Sequence, residues 1–175
     1  MLSKYFAFVL LLFCLSNCNP KDEESIVPSL GIEITDSRYA QTPNLWIDQE
    51  KLHLTWTEEK EDTTSLYYAY LDDLTLVKSK VASGADWFVN WADFSSITSS
   101  TAQSKRFMTH WLEKSNEGTY DYDVVVSLSK DYGQTWSSGK VLHDDGIAAE
   151  HGFVSVSPYD NDHFFASWLD GRNTK

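Results

Sequence analysis

The chain has 175 residues and carries 14 Lys and Arg against 26 Asp and Glu, which gives a formal net charge of −12. This acidity argues against nucleic acid and against electrostatic capture of anionic lipid headgroups, so we expect neither as a partner. Aromatic residues make up 14% of the sequence, and the recurring Thr, Val, Tyr and Trp are typical of β-strands. The composition therefore favours an all-β protein.

The N-terminal segment predicts export. Lys4 supplies a positive charge, and the apolar run over residues 5–15 is too short to span a bilayer. The run ends in Leu-Ser-Asn-Cys at Cys18, which resembles the cleavage site of lipoprotein signal peptides. We expect residues 1–17 to be removed and Cys18 to carry the lipid; the alternative is an ordinary secretory signal. Cys14 would be lost with the signal, so the mature chain would have no disulfide pair.

Residues 18–37 predict a lipidated, acidic tether. Lys21 is followed by Asp22, Glu23 and Glu24, a composition that a solvated linker explains. The same pattern resembles the export signal of some surface-displayed lipoproteins. We therefore expect an exported protein held on a membrane by its lipid, with the outer membrane and the cell surface as the expected location.

An internal repeat organises the rest of the chain. Three short alternating segments end in Trp56, Trp111 and Trp168, and an acidic residue follows each Trp by two positions. The Trp residues are 55 and 57 positions apart, and each segment follows another strand candidate, at residues 43–48, 92–98 and 152–157. A period of about fifty residues that carries several short strands predicts the blades of a β-propeller.

The repeat predicts an incomplete propeller over residues 38–175. Its blades would cover about 38–82, 86–143 and 150–175, which is about two and a half blades where propellers close with four to eight. The last strand would leave an open sheet edge. We interpret the chain as an N-terminal fragment of a longer propeller, with ring closure by association as the alternative.

One motif lies in the second repeat. The segment follows an alternating strand and reads S-x-D-x-G-x-T-W, with its defining residues at Ser129, Asp131, Gly133, Thr135 and Trp136. Gly supplies a positive φ, and the short Ser and Asp side chains can bond the backbone of the turn. The motif resembles the Asp box, or bacterial neuraminidase repeat, of the sialidase superfamily. In that family the box is a structural turn, so the resemblance indicates the fold more strongly than the chemistry.

Candidate ligand residues lie at the beginnings of the first strands, because the innermost strand of each propeller blade lines the central channel. Trp faces stack on sugar rings, and Asp and Asn side chains bond sugar hydroxyls. The candidates are Arg38, Gln41, Asp86, Trp87, Asn90, Trp91, Asp93, Glu150 and His151. The alternative for each is a packing or turn-capping role. Glu150 and His151 could form a general-base pair or bind a metal, but no ligand spacing supports this. We expect them to be structural, and we expect no metal and no cofactor.

The sialidase resemblance implies a six-bladed propeller that cleaves terminal sialic acid. It implies three arginines that clamp the substrate carboxylate, an Asp acid/base and a Tyr nucleophile. The first arginine of the family precedes Ile-Pro, whereas Gln41 stands before Thr42-Pro43 here, and Arg38 lies three residues upstream. Asp93, followed by Asp86, is the candidate acid/base. The other arginines and the Tyr–Glu pair would come from later blades.

Two functions therefore compete. The first is an exo-α-sialidase-type glycoside hydrolase, surface-anchored and truncated here, whose fragment alone would be inactive. The second is a propeller that binds glycans or proteins and has lost the arginine clamp. Gln41 and the acidic charge favour the second. Under both, a glycan or glycoconjugate is the expected partner.

Overall fold

The computed structural model describes residues 31–35, 37–48, 51–101 and 105–174. The predicted signal segment, Cys18 and most of the tether lie outside these residues. The described residues form ten strands, and a single 3₁₀ turn, Gly171–Asn173, follows the last of them. The strands are β1 (Ala40–Asp48), β2 (Lys51–Lys60), β3 (Thr63–Asp72), β4 (Thr75–Gly84), β5 (Ile97–Ser99), β6 (Phe107–Lys114), β7 (Tyr122–Ser129), β8 (Lys140–Val141), β9 (His151–Pro158) and β10 (Phe164–Asp170).

The all-β prediction is confirmed. The described ranges contain no α-helix, and none of their elements is a helix long and apolar enough to cross a bilayer. The strands form three antiparallel sheets in the orders β1-β2-β3-β4, β5-β6-β7-β8 and β10-β9, which we call the first, second and third sheets. Within each sheet every strand pairs with its neighbour in sequence, so the first two repeats each form a four-stranded meander and the third forms a two-stranded hairpin.

The repeated Trp has a physical role in the second strand of the first two sheets. Trp56 Nε1 donates to Oε1 of Glu58 (2.8 Å), and Trp111 Nε1 donates to Oε1 of Glu113 (2.7 Å). Residues two apart on a strand lie on the same face, so the acid can reach the indole. A buried indole N–H needs an acceptor. The Trp-x-acid spacing provides that acceptor from the same strand.

The third repeat lacks this bond. Trp168 Nε1 is buried and has no hydrogen-bond partner. Asp170 is one methylene shorter than the glutamates, and its carboxylate accepts from the Arg172 guanidinium (2.5 Å). Its other oxygen lies 3.6 Å from His151 Nε2. Asp170 therefore belongs to a polar cluster and does not bond Trp168.

The second sheet lies between the other two. Because side chains alternate along a strand, β6 and β7 send one set to each neighbour. Phe107, Trp111 and Val125 pack towards the first sheet, with Leu66 and Tyr68. The opposite face packs on the third sheet through Met108, Leu112, Tyr122, Val124 and Val126, against Val154, Val156, Phe164, Ala166 and Trp168.

The Asp-box segment forms the connection between β7 and β8. Ser129 Oγ accepts from the backbone N–H of Gly133 (2.8 Å) and of Asp131 (3.3 Å). The Asp131 carboxylate accepts from the N–H of Thr135 (2.9 Å) and from its hydroxyl (2.5 Å). Gly133 has φ +76°, a left-handed conformation that favours glycine. These bonds close the turn as the motif predicts.

The turn also contacts the first sheet. Ser79 Oγ donates to the carbonyl of Gly133 (2.6 Å), and Trp136 Nε1 donates to Ser79 Oγ (3.1 Å). The Trp136 ring meets Tyr68 edge-on at 5.4 Å between centroids. In the first sheet, a two-residue turn at Asp73 and Leu74 (φ 43° and 69°) stands at the corresponding place. The motif therefore fastens the second sheet to the first.

The first strand of the second sheet is shorter than predicted. The sequence pattern predicts a strand over residues 92–98, whereas β5 covers only Ile97–Ser99. Asn90 Oδ1 accepts from the N–H of Ala92 (2.8 Å), which turns the chain locally. The Asp93 carboxylate accepts from the N–H of Phe153 in β9 (2.8 Å). These polar contacts replace strand pairing before Ile97.

Candidate functional site

An open cleft of about 330 Å³ lies between the beginning of β1 and the loop that precedes β5. Three of the predicted ligand residues, Gln41, Asn90 and Trp91, line it. Trp91 is 87% exposed. The remaining wall is Thr42, Pro43, Val89 and Phe94. The structure thus brings together an exposed indole and two amide side chains, a combination that suits a sugar ring and its hydroxyls.

The backbone beside this cleft is strained. Thr42 lies at the β-bulge of β1 with φ 51°, which is unusual for a β-branched residue. Phe153, whose N–H binds Asp93, has φ 54°. Such conformations cost about 1–3 kcal/mol each and concentrate at functional sites. Their presence on both sides of Asp93 marks this region as a candidate site.

Asp93 lies next to the cleft in a narrow crevice of about 10 Å³, which is room for about one water molecule. Its side chain is 5% exposed, and Oδ2 accepts from the Phe153 N–H and from the Tyr122 hydroxyl (3.4 Å). A Cβ on Gly152 would stand 2.1 Å from the same oxygen, so glycine is needed there for the carboxylate to fit. Burial raises the pKa of Asp93, and the neighbouring Glu150 carboxylate raises it further.

Tyr122 joins Asp93 to Glu150. Its hydroxyl lies 3.1 Å from Glu150 Oε1 as well as 3.4 Å from Asp93 Oδ2. Burial, followed by the two carboxylates, raises the pKa of Tyr122 well above its ordinary range. The residue is 1% exposed, and a nucleophile must reach its substrate. Tyr122 therefore orders two carboxylates and is unsuited to attack a sugar.

We expect Asp93→Asn to change the pH dependence of folding. Burial raises the pKa of folded Asp93 above its ordinary value of 3.8. At pH values between 3.8 and this raised pKa, the folded state therefore binds more protons than the unfolded state. The stability contributed by Asp93 then falls as pH rises through this window and stays low above it. Urea unfolding at several values between about pH 4 and pH 7 would measure the effect in both proteins.

The difference between the two pH profiles isolates Asp93. Burial lowers the pKa of His53 and His110 to about 4, so both histidines also influence stability in this range, but equally in the two proteins. We expect the stability of the wild type, relative to Asp93→Asn, to decrease as pH rises. A difference that does not change with pH would contradict the raised pKa.

The other predicted residues are dispersed. Trp87 is half-buried and stacks on Trp111, with ring centroids 5.1 Å apart. It therefore has a packing role and not the predicted contact with a ligand. Asp86 is exposed, and its carbonyl accepts from the N–H of Lys114 (2.7 Å). The exposed guanidinium of Arg38 lies 5.7 Å from the centroid of the Tyr39 ring. Neither Asp86 nor Arg38 lines the cleft.

The arginines do not form a carboxylate clamp among the described residues. Arg106 lies 2.9 Å from Asp162. Arg172 binds Asp170 and also lies 3.2 Å from Asp145. Gln41 donates from Nε2 to Glu59 (3.4 Å). Two of the three arginines thus already have carboxylate partners.

His151 belongs to a second polar cluster, separate from the cleft. It is fully buried and stacks on His143, with ring centroids 3.8 Å apart. Asp123 and Asp145 lie within 3.6 Å of both imidazoles, and Asp170 lies equally near His151. Groups of these residues are close enough to share a metal ion.

The sequence analysis missed four residues of the two clusters: Tyr122, Asp123, His143 and Asp145. They lie on β7 and in the loop between β8 and β9, and only the tertiary fold brings them to Glu150 and His151. One signal was available. The segment 143–151 contains two histidines and three acids within nine residues, which is dense for an ordinary loop.

Comparison with known proteins does not identify the chain. No protein-family model matches it, and no curated protein matches it.

Proposed function

We propose that the chain is an exported, lipid-anchored protein that is built on a sialidase-like β-propeller and binds glycans. The architecture is supported by three consecutive antiparallel sheets, two meanders and a hairpin, that stack face to face. The hydrogen bonds of the Asp-box turn support the family resemblance. A fold does not determine a function, so the glycan proposal depends on the cleft.

Two outer sheet faces fit the propeller proposal. On β1, Leu45 and Ile47 are 61% and 71% exposed, and on β10, Phe165 and Leu169 are each 62% exposed. Apolar rows of this kind mark packing surfaces. In a propeller each would contact another blade. A crystal structure of the protein in which both rows face solvent would contradict the ring arrangement.

The exposure of Trp91 is the observation that carries the glycan proposal. An indole that is 87% exposed at the rim of a cleft contributes little to folding. It offers a flat apolar face on which a pyranose can stack, while the Gln41 and Asn90 amides can exchange hydrogen bonds with hydroxyls. The absence of a basic wall among the lining residues favours neutral sugars over a strongly anionic ligand.

Binding is better supported than cleavage. A sialidase needs arginines free to hold a carboxylate, and Arg106 and Arg172 are bound to acids of the protein. The second candidate, a hydrolase, is favoured by one observation. Asp93 is a carboxyl with a raised pKa beside the cleft, which is one property of a general acid, although its burial means that the surrounding wall would have to open for a substrate to reach it.

We expect Trp91→Ala to lower glycan affinity about tenfold or more, which corresponds to ~1.4 kcal/mol, because the stacking face is removed. Calorimetric titration with lactose and with sialyllactose would measure the affinities. The matched control is Tyr159→Ala, which removes another exposed aromatic, 62% exposed. Tyr159 follows the far end of β9, on the order of 20 Å along the strand from Phe153.

The outcomes separate the candidates. Saturable binding that Trp91→Ala weakens and Tyr159→Ala leaves unchanged supports the glycan proposal. Equal binding by both variants contradicts it. Release of sialic acid from a fluorogenic sialoside, abolished by Asp93→Asn, would establish the hydrolase instead.

The lipid anchor is proposed from Cys18 and the apolar segment before it. Mass spectrometry of the mature N-terminal peptide tests it. A free Cys18 thiol, or a chain that begins elsewhere, would contradict the anchor without affecting the cleft.

A further inference from the structure

Two imidazole nitrogens and one carboxylate oxygen face one another in the polar cluster around His151. Asp123 Oδ1 lies 3.5 Å from His143 Nε2 and 3.6 Å from His151 Nδ1. The three atoms all lie within 4.8 Å of one another. Asp123 is on β7, His143 follows β8, and His151 opens β9. The second and third sheets and their connecting loop thus meet at one point.

Asp145 fixes which nitrogens face Asp123. Its Oδ2 lies 3.2 Å from His151 Nε2, and its Oδ1 lies 3.6 Å from His143 Nδ1. A carboxylate favours the tautomer with the proton on the nitrogen that it faces. His143 Nε2 then presents its lone pair to Asp123, which is the arrangement of a metal-binding histidine that is oriented by a carboxylate behind it. His151 Nδ1 lies 3.6 Å from Asp123 Oδ1 and 3.3 Å from the backbone carbonyl oxygen of Tyr122, so an ion would have to replace that carbonyl contact.

The cluster contains unsatisfied buried atoms. Asp123 Oδ1 and both ring nitrogens of His143 are shielded from solvent and have no hydrogen-bond partner. The His143 side chain is 7% exposed. An unsatisfied buried polar group costs about 1–3 kcal/mol, and more if it is charged. Several such atoms in one place indicate that a positively charged species belongs between them.

We propose that Asp123, His143 and His151 form a binding site for a divalent transition-metal ion, with Zn²⁺ the best fit. Zn²⁺ holds imidazole nitrogen and carboxylate oxygen at about 2.0–2.2 Å, so neighbouring ligand atoms of a tetrahedral site lie about 3.4 Å apart. The observed 3.5 and 3.6 Å from Asp123 Oδ1 are close to this spacing, whereas the stacked imidazole rings would have to turn so that both lone pairs point at the ion. Two His and one carboxylate are also a common catalytic ligand set.

The neighbouring group of Asp145, His151 and Asp170 is the weaker alternative. Arg172 lies against both of its acids and already supplies a positive charge there. Asp123, Asp145 and Asp170 together carry three negative charges against the single charge of Arg172. A divalent ion at Asp123 would offset this excess of negative charge.

The buried ligand atoms lie beside an open cleft. Asp123 and His143 line this cleft of about 340 Å³, together with Ser115, Asp144 and Gly146. A site with three protein ligands and an open position can hold water or a ligand. The cleft shares no lining residue with the Trp91 cleft. The metal proposal therefore stands independently of glycan binding.

Titration of the protein with Zn²⁺ after chelator treatment tests the site. The protein carries no affinity tag, since a polyhistidine tag would bind the ion itself. We expect one saturable site by calorimetry and a rise in the thermal midpoint. His143→Gln and Asp123→Asn should each weaken binding at least 100-fold, because each removes a ligand. Asp145→Asn should weaken it about 10–100-fold, because that carboxylate only orients the imidazoles.

The matched control is His163→Gln. His163 is exposed and is paired only with Asp160 among the described residues, so its loss should leave Zn²⁺ affinity unchanged. A second measurement covers ligand variants that do not fold, because it uses the wild type alone. We expect the visible absorption spectrum of the Co²⁺-loaded wild type to show the intense bands of a four-coordinate ion. Absence of saturable binding in the wild type, or equal affinity in His143→Gln and His163→Gln, would overturn the proposal.

Discussion

Gly133→Ala is expected to lower the free energy of unfolding by about 3 kcal/mol. Gly133 has φ +76°, and an L-residue in this conformation costs about 1–2 kcal/mol. A Cβ at this position would stand 2.0 Å from Cε1 of Tyr68, which is 1% exposed and cannot move aside freely. Overpacking of this kind costs about 1–3 kcal/mol more. Urea unfolding followed by tryptophan fluorescence would measure the change.

Gly146→Ala separates the two causes. Gly146 has φ +66°, but no atom lies within 4 Å of its missing Cβ. It should therefore lose only the backbone contribution, about 1 kcal/mol. If the two variants lose equal stability, the Tyr68 contact contributes nothing, and the Asp-box glycine serves the turn alone.

Trp111→Ala is expected to destabilise the protein by about 3–5 kcal/mol, the usual cost of removing a buried aromatic side chain. Trp111 is 3% exposed and packs with Leu66 and Val125 between the first two sheets. Its removal also leaves the Glu113 carboxylate without the indole donor and Trp87 without its stacking partner. Thermal and urea unfolding, followed by circular dichroism, would measure the loss.

Trp91→Ala is the control for this prediction. It removes the same side chain from a position that is 87% exposed, so stability should change by no more than about 0.5 kcal/mol. A cost for Trp111→Ala that is as small as for Trp91→Ala would mean that the interface between the first two sheets does not depend on Trp111.

Much of the fold could be predicted from the sequence because the same Trp-containing strand pattern occurs three times. The 55- and 57-residue spacings of Trp56, Trp111 and Trp168 place the second strand of every sheet. The Trp-x-acid pattern was visible, but its meaning, an indole bonded to the acid on the same strand face, required the structure. The shortening of β5 could not be predicted, since the partner of Asp93 is a backbone N–H sixty residues away.

The site was less predictable than the fold. Gln41, Asn90 and Trp91 were identified by residue type and do meet at one cleft. Asp93 and Glu150 were chosen separately, and nothing in the sequence joins them through Tyr122. His151 was expected to be structural, whereas its contacts with His143 and Asp123 support a metal site. Contacts between distant strands depend on register and sheet packing, which local patterns do not encode.

The fastening of the Asp-box turn to the first sheet has a consequence for biosynthesis. The Ser79 hydroxyl and the Gly133 carbonyl to which it donates are 54 positions apart. The surface of the first sheet is therefore translated well before the turn that docks on it. Domains that fold during translation do so from the N-terminus, and a formed first sheet would offer Ser79 and Tyr68 as a template for the nascent second sheet. If the first sheet does not form, Trp136 stays exposed to solvent, and chaperones and proteases could recognise it.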